Sequence, residues 1–174
     1  MWYHNFMSKN KINKSYSPIK SGMFYIVNSK YFIPKKESEC FFILANNNNK
    51  FDICVTKIFL TSIVTTIWDI NFDEIYVEGG SNLELIPLNR ERQDIENYPK
   101  GIVAVSVDRD NYSSIKKIGE LRKGLYKVTQ AYQTEEILNG DEIILGNSNS
   151  ICIYVRQESG VTAPVNCEVR FYIE

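Results

Sequence analysis

The chain has 174 residues, 44% of them hydrophobic, and a formal net charge of −1. That is enough for one domain burying about 70% of its unfolded surface, and the charge balance gives no overall pull towards nucleic acid or a membrane surface. Aromatic residues reach 13%, with 11 Tyr and 9 Phe, which favours strands over helices.

The charges are unevenly placed. Residues 1–36 carry seven lysines and no acid, which leaves 13 basic and 21 acidic residues for the rest, a split of +7 against −8. Residues 1–21 are polar, with Trp2, Tyr3, Phe6 and Met7 near the start and Lys9, Lys11 and Lys14 following. They are expected to form a basic arm with an aromatic tip, able to lie on an acidic surface such as that of a neighbouring subunit. The first fourteen residues lack the apolar run of a signal peptide, and no stretch approaches the length of a membrane span.

From Gly22 onward the chain reads as a succession of strands. Met23–Val27 and Tyr31–Ile33 are short strand-like runs, the second stopped by Pro34, and Cys40–Leu44 is a fuller apolar run. Four asparagines, Asn46–Asn49, close that run and suit a turn through left-handed conformations. Phe51–Thr61 alternates with a phase change: Phe51, Ile53 and Val55 share one side, then Ile58 and Leu60. One extra residue near Thr56 and Lys57 would produce that change, as a bulge or a corner.

Val64, Thr65, Thr66 and Ile67 are β-branched, which argues against a helix over 63–70. Ile75–Val77 and Leu83–Leu85 read as one strand interrupted by a bend at Gly79 and Gly80, followed by a polar loop over 87–97 and a strand over Ile102–Val107. In 112–138, Ile115, Ile118, Leu121 and Leu125 have helical spacing, yet Gly119 and Gly124 weaken a helix, and Leu125–Val128 could be a strand. Asn139–Asp141 marks a turn before Glu142–Leu145.

The clearest signal is at the end. Val165, Cys167, Val169, Phe171 and Ile173 fall on one side and Asn166, Glu168, Arg170 and Glu174 on the other, the period-two mark of a strand with one face in a core and one in water. Ile151–Arg156 alternates as well, after turn residues Gly146–Asn149 and before a second turn at 159–164. About nine strands and no clear long helix give an all-β, two-sheet antiparallel β-sandwich, jelly-roll-like, over 22–174, with 1–21 as an extended N-terminal arm.

Cys40, Cys54, Cys152 and Cys167 show no CxxC spacing, and Cys152 and Cys167 should point to opposite sides of their sheets, so all four are expected as reduced thiols. The single histidine, His4, sits in the arm, a poor place to hold a catalytic base. No nucleotide-binding glycine pattern occurs. Asp108–Asn111 and the group Asp69, Asp73 and Glu74 are acidic but lack the ligand spacing of a calcium loop. No enzyme activity, cofactor or metal is therefore expected. A carbohydrate or receptor site would need exposed aromatics on one sheet face, with Trp68, Tyr76, Tyr126, Tyr132 and Tyr154 as candidates.

The segment Asp73–Val77 through Leu83–Arg90, with its Pro87-Leu88-Asn89 loop, resembles jelly-roll structural subunits of tailed bacteriophage virions, of the capsid-decoration, head-fibre and tail-associated kinds. Gly140–Leu145 and the two terminal strands, Ile151–Val155 and Val165–Ile173, extend the resemblance, which covers about residues 51–174. It implies repeated copies, a homo-oligomer, a place on the virion after synthesis in the host cytoplasm, and other virion proteins as partners. The basic arm, through Trp2, Tyr3, Phe6, Lys9, Lys11 and Lys14, then fits anchoring on a capsid or tail surface. The alternative is a carbohydrate- or receptor-binding sandwich module.

Overall fold

The alternating C-terminal run forms a nine-residue strand, Val165–Ile173, in which Val165, Cys167, Val169 and Phe171 are buried and the residues between them are half-buried. It is the last of fourteen strands in a computed structural model that describes residues 24–34, 39–73, 75–77, 81–88, 100–106, 115–117, 122–138, 140–157 and 162–174. They are β1 (Phe24–Asn28), β2 (Glu39–Asn46), β3 (Ile53–Ser62), β4 (Thr66–Asp73), β5 (Ile75–Val77), β6 (Ser81–Asn82) and β7 (Leu85–Pro87), followed by β8 (Ile102–Ser106), β9 (Ile115–Lys117), β10 (Arg122–Thr129), β11 (Gln133–Ile137), β12 (Ile143–Leu145), β13 (Asn149–Gln157) and β14 (Val165–Ile173). The arm, with Trp2, Tyr3, His4, Phe6, Lys9, Lys11 and Lys14, lies outside the described residues, as does the boundary at residue 22.

Two six-stranded sheets make the sandwich. The first runs β11-β3-β14-β1-β7, with β12 also paired to β3; the second runs β10-β4-β13-β2-β8-β6; β5 and β9 form a separate pair. The pairings nest: β1 with β14, β2 with β13, β3 with β11 and β12, β4 with β10, all antiparallel. A chain doubled back on itself as four concentric antiparallel pairs and then rolled into two sheets is a jelly roll. In the rolled form β14 also meets β3, and β13 meets β4.

Between the sheets lies one core built from alternate residues of both. Phe42, Leu44, Trp68, Ile70, Ile151 and Ile153 face Val55, Ile58, Leu60, Cys167, Val169 and Phe171 across it. The bulge expected in the third strand is present. Lys57 pairs with Arg170 and Val55 with Phe171, so Thr56 is the extra residue, and its hydroxyl donates to the Arg170 carbonyl at 3.2 Å. That insertion puts both Val55 and Ile58 on the core side.

Polar side chains hold the loops at both ends. Buried Asn46 donates from Nδ2 to the Phe51 and Leu145 carbonyls, at 3.0 and 2.9 Å, and accepts from the Asn48 backbone N–H at 2.9 Å. Gln157, also buried, donates to the Ala163 carbonyl at 3.0 Å and accepts from the Ala163 N–H at 2.8 Å. The asparagine turn therefore works by side-chain reach and not by left-handed backbone: among the described non-glycine residues only Tyr132, Leu138 and Ser148 have positive φ.

Other expectations are corrected in detail. The described residues hold fourteen strands, not about nine. Tyr31–Ile33 contributes only an isolated bridge, Phe32 to Val165. Leu83–Leu85 is not a resumed strand: β6 joins one sheet and β7 the other, with Leu83 and Glu84 between them. The helical spacing from Ile115 to Leu125 gives way to β9 and β10. Gly124 sits at the register shift of β10, where an added Cβ would run into the Ile70 carbonyl and the Phe72 ring.

Candidate interaction surface

The two sheets differ on their outward sides. On the sheet holding β2 and β13, a second buried cluster forms from Cys40, Ile43, Ala45, Cys152 and Tyr154, with Val103 packed against it. β2 and β13 are therefore buried on both faces, which is why Cys40–Ala45 and Ile151–Val155 are unbroken apolar runs. On the sheet holding β3 and β14, the outward side chains are half-buried or exposed, apart from Cys54, which its neighbours cover. This open face can meet a partner.

Register assembles that face row by row, because residues directly opposite each other in antiparallel strands share a side. One row crosses four strands: Phe24 opposite Tyr172, Tyr172 opposite Cys54, Cys54 opposite Ile144. Beside it Ile86 lies opposite Ile26, and Ile26 opposite Arg170. The Phe24 and Tyr172 rings stack at 6.5 Å. Ile144 is 61% exposed and Ile86 44%.

The edge of the apolar row is acidic. Tyr172 donates to the Glu142 carboxylate at 3.2 Å, and the Cys54 thiol approaches a Glu174 carboxylate oxygen at 3.8 Å. Burial raises the Cys54 thiol above its ordinary value. Its hydrogen bond with Tyr172 opposes that rise, and the negative charges of Glu174, Glu142 and Asp52 add to it. Tyr172 is likewise raised, first by burial and then by Cys54 and Glu142. Both groups are neutral at physiological pH, so the row is an uncharged strip beside carboxylates.

The other half of the face is tied by ion pairs around Phe59. Arg170 meets Glu168 at 2.6 Å and Lys57 meets Glu136 at 2.7 Å, while both cations lie over the Phe59 ring, at 4.9 and 5.8 Å. Each such pair contributes little to stability, but together they spend their charges on one another and leave the apolar row as the distinctive feature.

The other candidate residues are scattered. Trp68 is fully buried and donates from Nε1 to the Thr129 hydroxyl at 2.6 Å, and Tyr154 is 8% exposed, so neither can form a sugar platform. Tyr126 and Tyr132 are 58% and 85% exposed, on β10 and the turn after it. The side chain of Tyr76, the Asp73–Glu74 pair and Asp108–Asn111 fall outside the described residues or side chains. All four cysteines are buried, with Cys152 in the outer cluster and Cys167 in the inner core, as their opposite phases required.

Among the described residues no group of three or more His, Cys, Asp or Glu is placed to hold a metal ion, and no helix is long and apolar enough to cross a membrane. Sequence reasoning missed the apolar row, because its members come from β1, β3, β12 and β14 and join only through register. The sequence matches no known family model, no curated protein and no solved structure.

Proposed function

We propose that this chain is a non-enzymatic structural subunit of a phage particle, carried on the head or tail surface by its basic N-terminal segment and meeting neighbouring subunits through the open face of its sandwich. The observation that carries the reading is the nested strand pairing, β1 with β14 through β4 with β10, which is the jelly roll that the resemblance to virion subunits implies. The apolar row from Phe24 to Ile144 supports it as well, since a subunit packed in many copies needs an apolar strip outside its own core.

Deleting residues 1–21 is expected to abolish incorporation into particles while the sandwich keeps its circular dichroism and melting transition. Mass analysis of purified particles reads the result, and normal incorporation of the truncated chain removes the anchoring role. A second reading, a carbohydrate- or receptor-binding module, is favoured by one observation: Tyr126 and Tyr132 are exposed on and beside β10. It predicts glycan-array binding that Tyr126→Ala and Tyr132→Ala abolish together, and an array without hits counts against it.

A further inference from the structure

The apolar row has a candidate occupant in the same chain. Phe24, the first described residue, begins β1 at one end of the row and stacks on Tyr172, so the preceding segment is tethered beside the row. That segment carries Lys9, Lys11, Lys14 and Lys20 with no acid, and its tip holds Trp2, Tyr3, Phe6 and Met7. The row is bordered by Asp52, Glu142 and Glu174, whose charges are felt at Cys54 in its centre. Apolar meets apolar, and cation meets carboxylate.

Distance and concentration favour the chain's own segment over any other occupant. From β1 to β12 the row spans three strand spacings, about 14 Å, whereas an extended segment of this length reaches on the order of 70 Å. Ser21 and Gly22 supply the residue types for the reversal that lays the segment back along the face. A tethered segment acts at an effective concentration of order millimolar, so a second copy at roughly micromolar concentration competes at a large disadvantage.

We propose that residues 1–21 fold back onto the outer face of their own β3–β14 sheet, the aromatic tip covering the row from Phe24 to Ile144 and the lysines facing Asp52, Glu142 and Glu174. The segment that the particle reading uses as an anchor is then stored on the subunit until a partner displaces it. Storage does not depend on that reading: a chain that sheathes its own sheet and never enters a particle leaves this inference standing.

The test uses the intact chain and tryptophan fluorescence. Of the two tryptophans, Trp68 is fully buried, so acrylamide quenching reports on Trp2, and Trp2→Phe confirms the assignment. Quenching of Trp2 is expected to be several-fold weaker than for a free peptide of residues 1–21, and independent of protein concentration in samples that sediment as monomers. Ile144→Lys and Glu142→Lys, both at exposed positions, should raise quenching towards the free-peptide value with only the small drop in melting temperature that loss of a docked segment entails, the transition staying cooperative. Free-peptide quenching in the unaltered chain overturns the proposal, and so does protection that survives both variants. Protection that appears only as the chain dimerises also overturns it, by giving the row to a second copy.

Discussion

The two sheets share one core but are written differently. Along β2 and β13, inside their sheet, consecutive residues are apolar and both faces are closed: Ile43 and Cys152 are as fully buried on the outer side as Leu44 and Ile151 are on the inner, while Tyr126 and Val128 of the edge strand β10 stay exposed. In the sheet of β3 and β14, apolar and polar residues alternate and one side stays open. An unbroken run thus marks a layer enclosed on both sides, and alternation marks the outside of the molecule. On the alternating sheet, the apolar residues open to recognition are those that break the alternation: Phe24, Ile26, Ile86 and Ile144.

The difference is most directly broken at Ile43. If the outer side of its sheet is a closed core, Ile43→Asp buries a carboxylate with no partner and should cost more than about 4 kcal/mol, enough to prevent folding. Ile43→Ala should cost about 2–5 kcal/mol, the same as Ile151→Ala on the inner side. Urea titration reads all three, and a well-folded Ile43→Asp chain would show that the outer side is open and the contrast mistaken. The next effect down is at the end where the two sheets are tied. Asn46→Ala leaves the Phe51 and Leu145 carbonyls without their shared donor, and is expected to cost about 3 kcal/mol. Thr129→Val removes the acceptor of the buried Trp68 N–H and should cost about 1–3 kcal/mol, with a shift in tryptophan emission as its signature.

The same contrast explains what could be read from the amino acids and what could not. The long strand β14 was legible because nine residues display a period, and the Thr56 bulge was legible because a phase change needs an extra residue; the alternation read into Ile151–Arg156 did not hold, since β13 is buried on both faces. Strands of two or three residues, such as β6, β7 and β9, display none. Ile115 to Leu125 kept a helical spacing by coincidence, since Gly124 marks a bulge and not a weak helix. The proposed surface was illegible for a different reason. Phe24, Cys54, Ile144 and Tyr172 have no motif in common and become neighbours only when β1, β3, β12 and β14 are set in register. Aromatic content was visible, but not its side: Trp68 and Tyr154 went inside, and Tyr126 and Tyr132 outside.

Alkaline pH separates the sheets less strongly. Burial raises the Cys167 thiol above its ordinary 9.0, against the opposing hydrogen bonds from Ser29, so the folded state favours the protonated form. The stability it contributes is therefore complete below the unfolded value and is lost as pH climbs from there towards the folded value. By pH 10 the loss should be about 1.4 kcal/mol. Cys167→Ala starts less stable because it leaves a cavity, but its stability should fall less between pH 7 and 10 than that of the parent chain. Equal slopes would mean that other groups carry the alkaline response.

The smallest effect is expected on the open face, and its smallness is what gives it meaning. Ile86 is 44% exposed on β7, opposite Ile26 at the edge of its sheet. Ile86→Lys should change stability by no more than about 0.5 kcal/mol, because the long side chain can lie along Ile26 and carry its charge into water. An isoleucine that contributes nothing to folding, on a strand edge where lysine would also guard against unwanted pairing, has its use outside the isolated domain. If Ile86→Lys instead destabilises the chain by as much as Ile43→Ala, that edge is already covered within the folded chain, and the open face is narrower than the register alone implies.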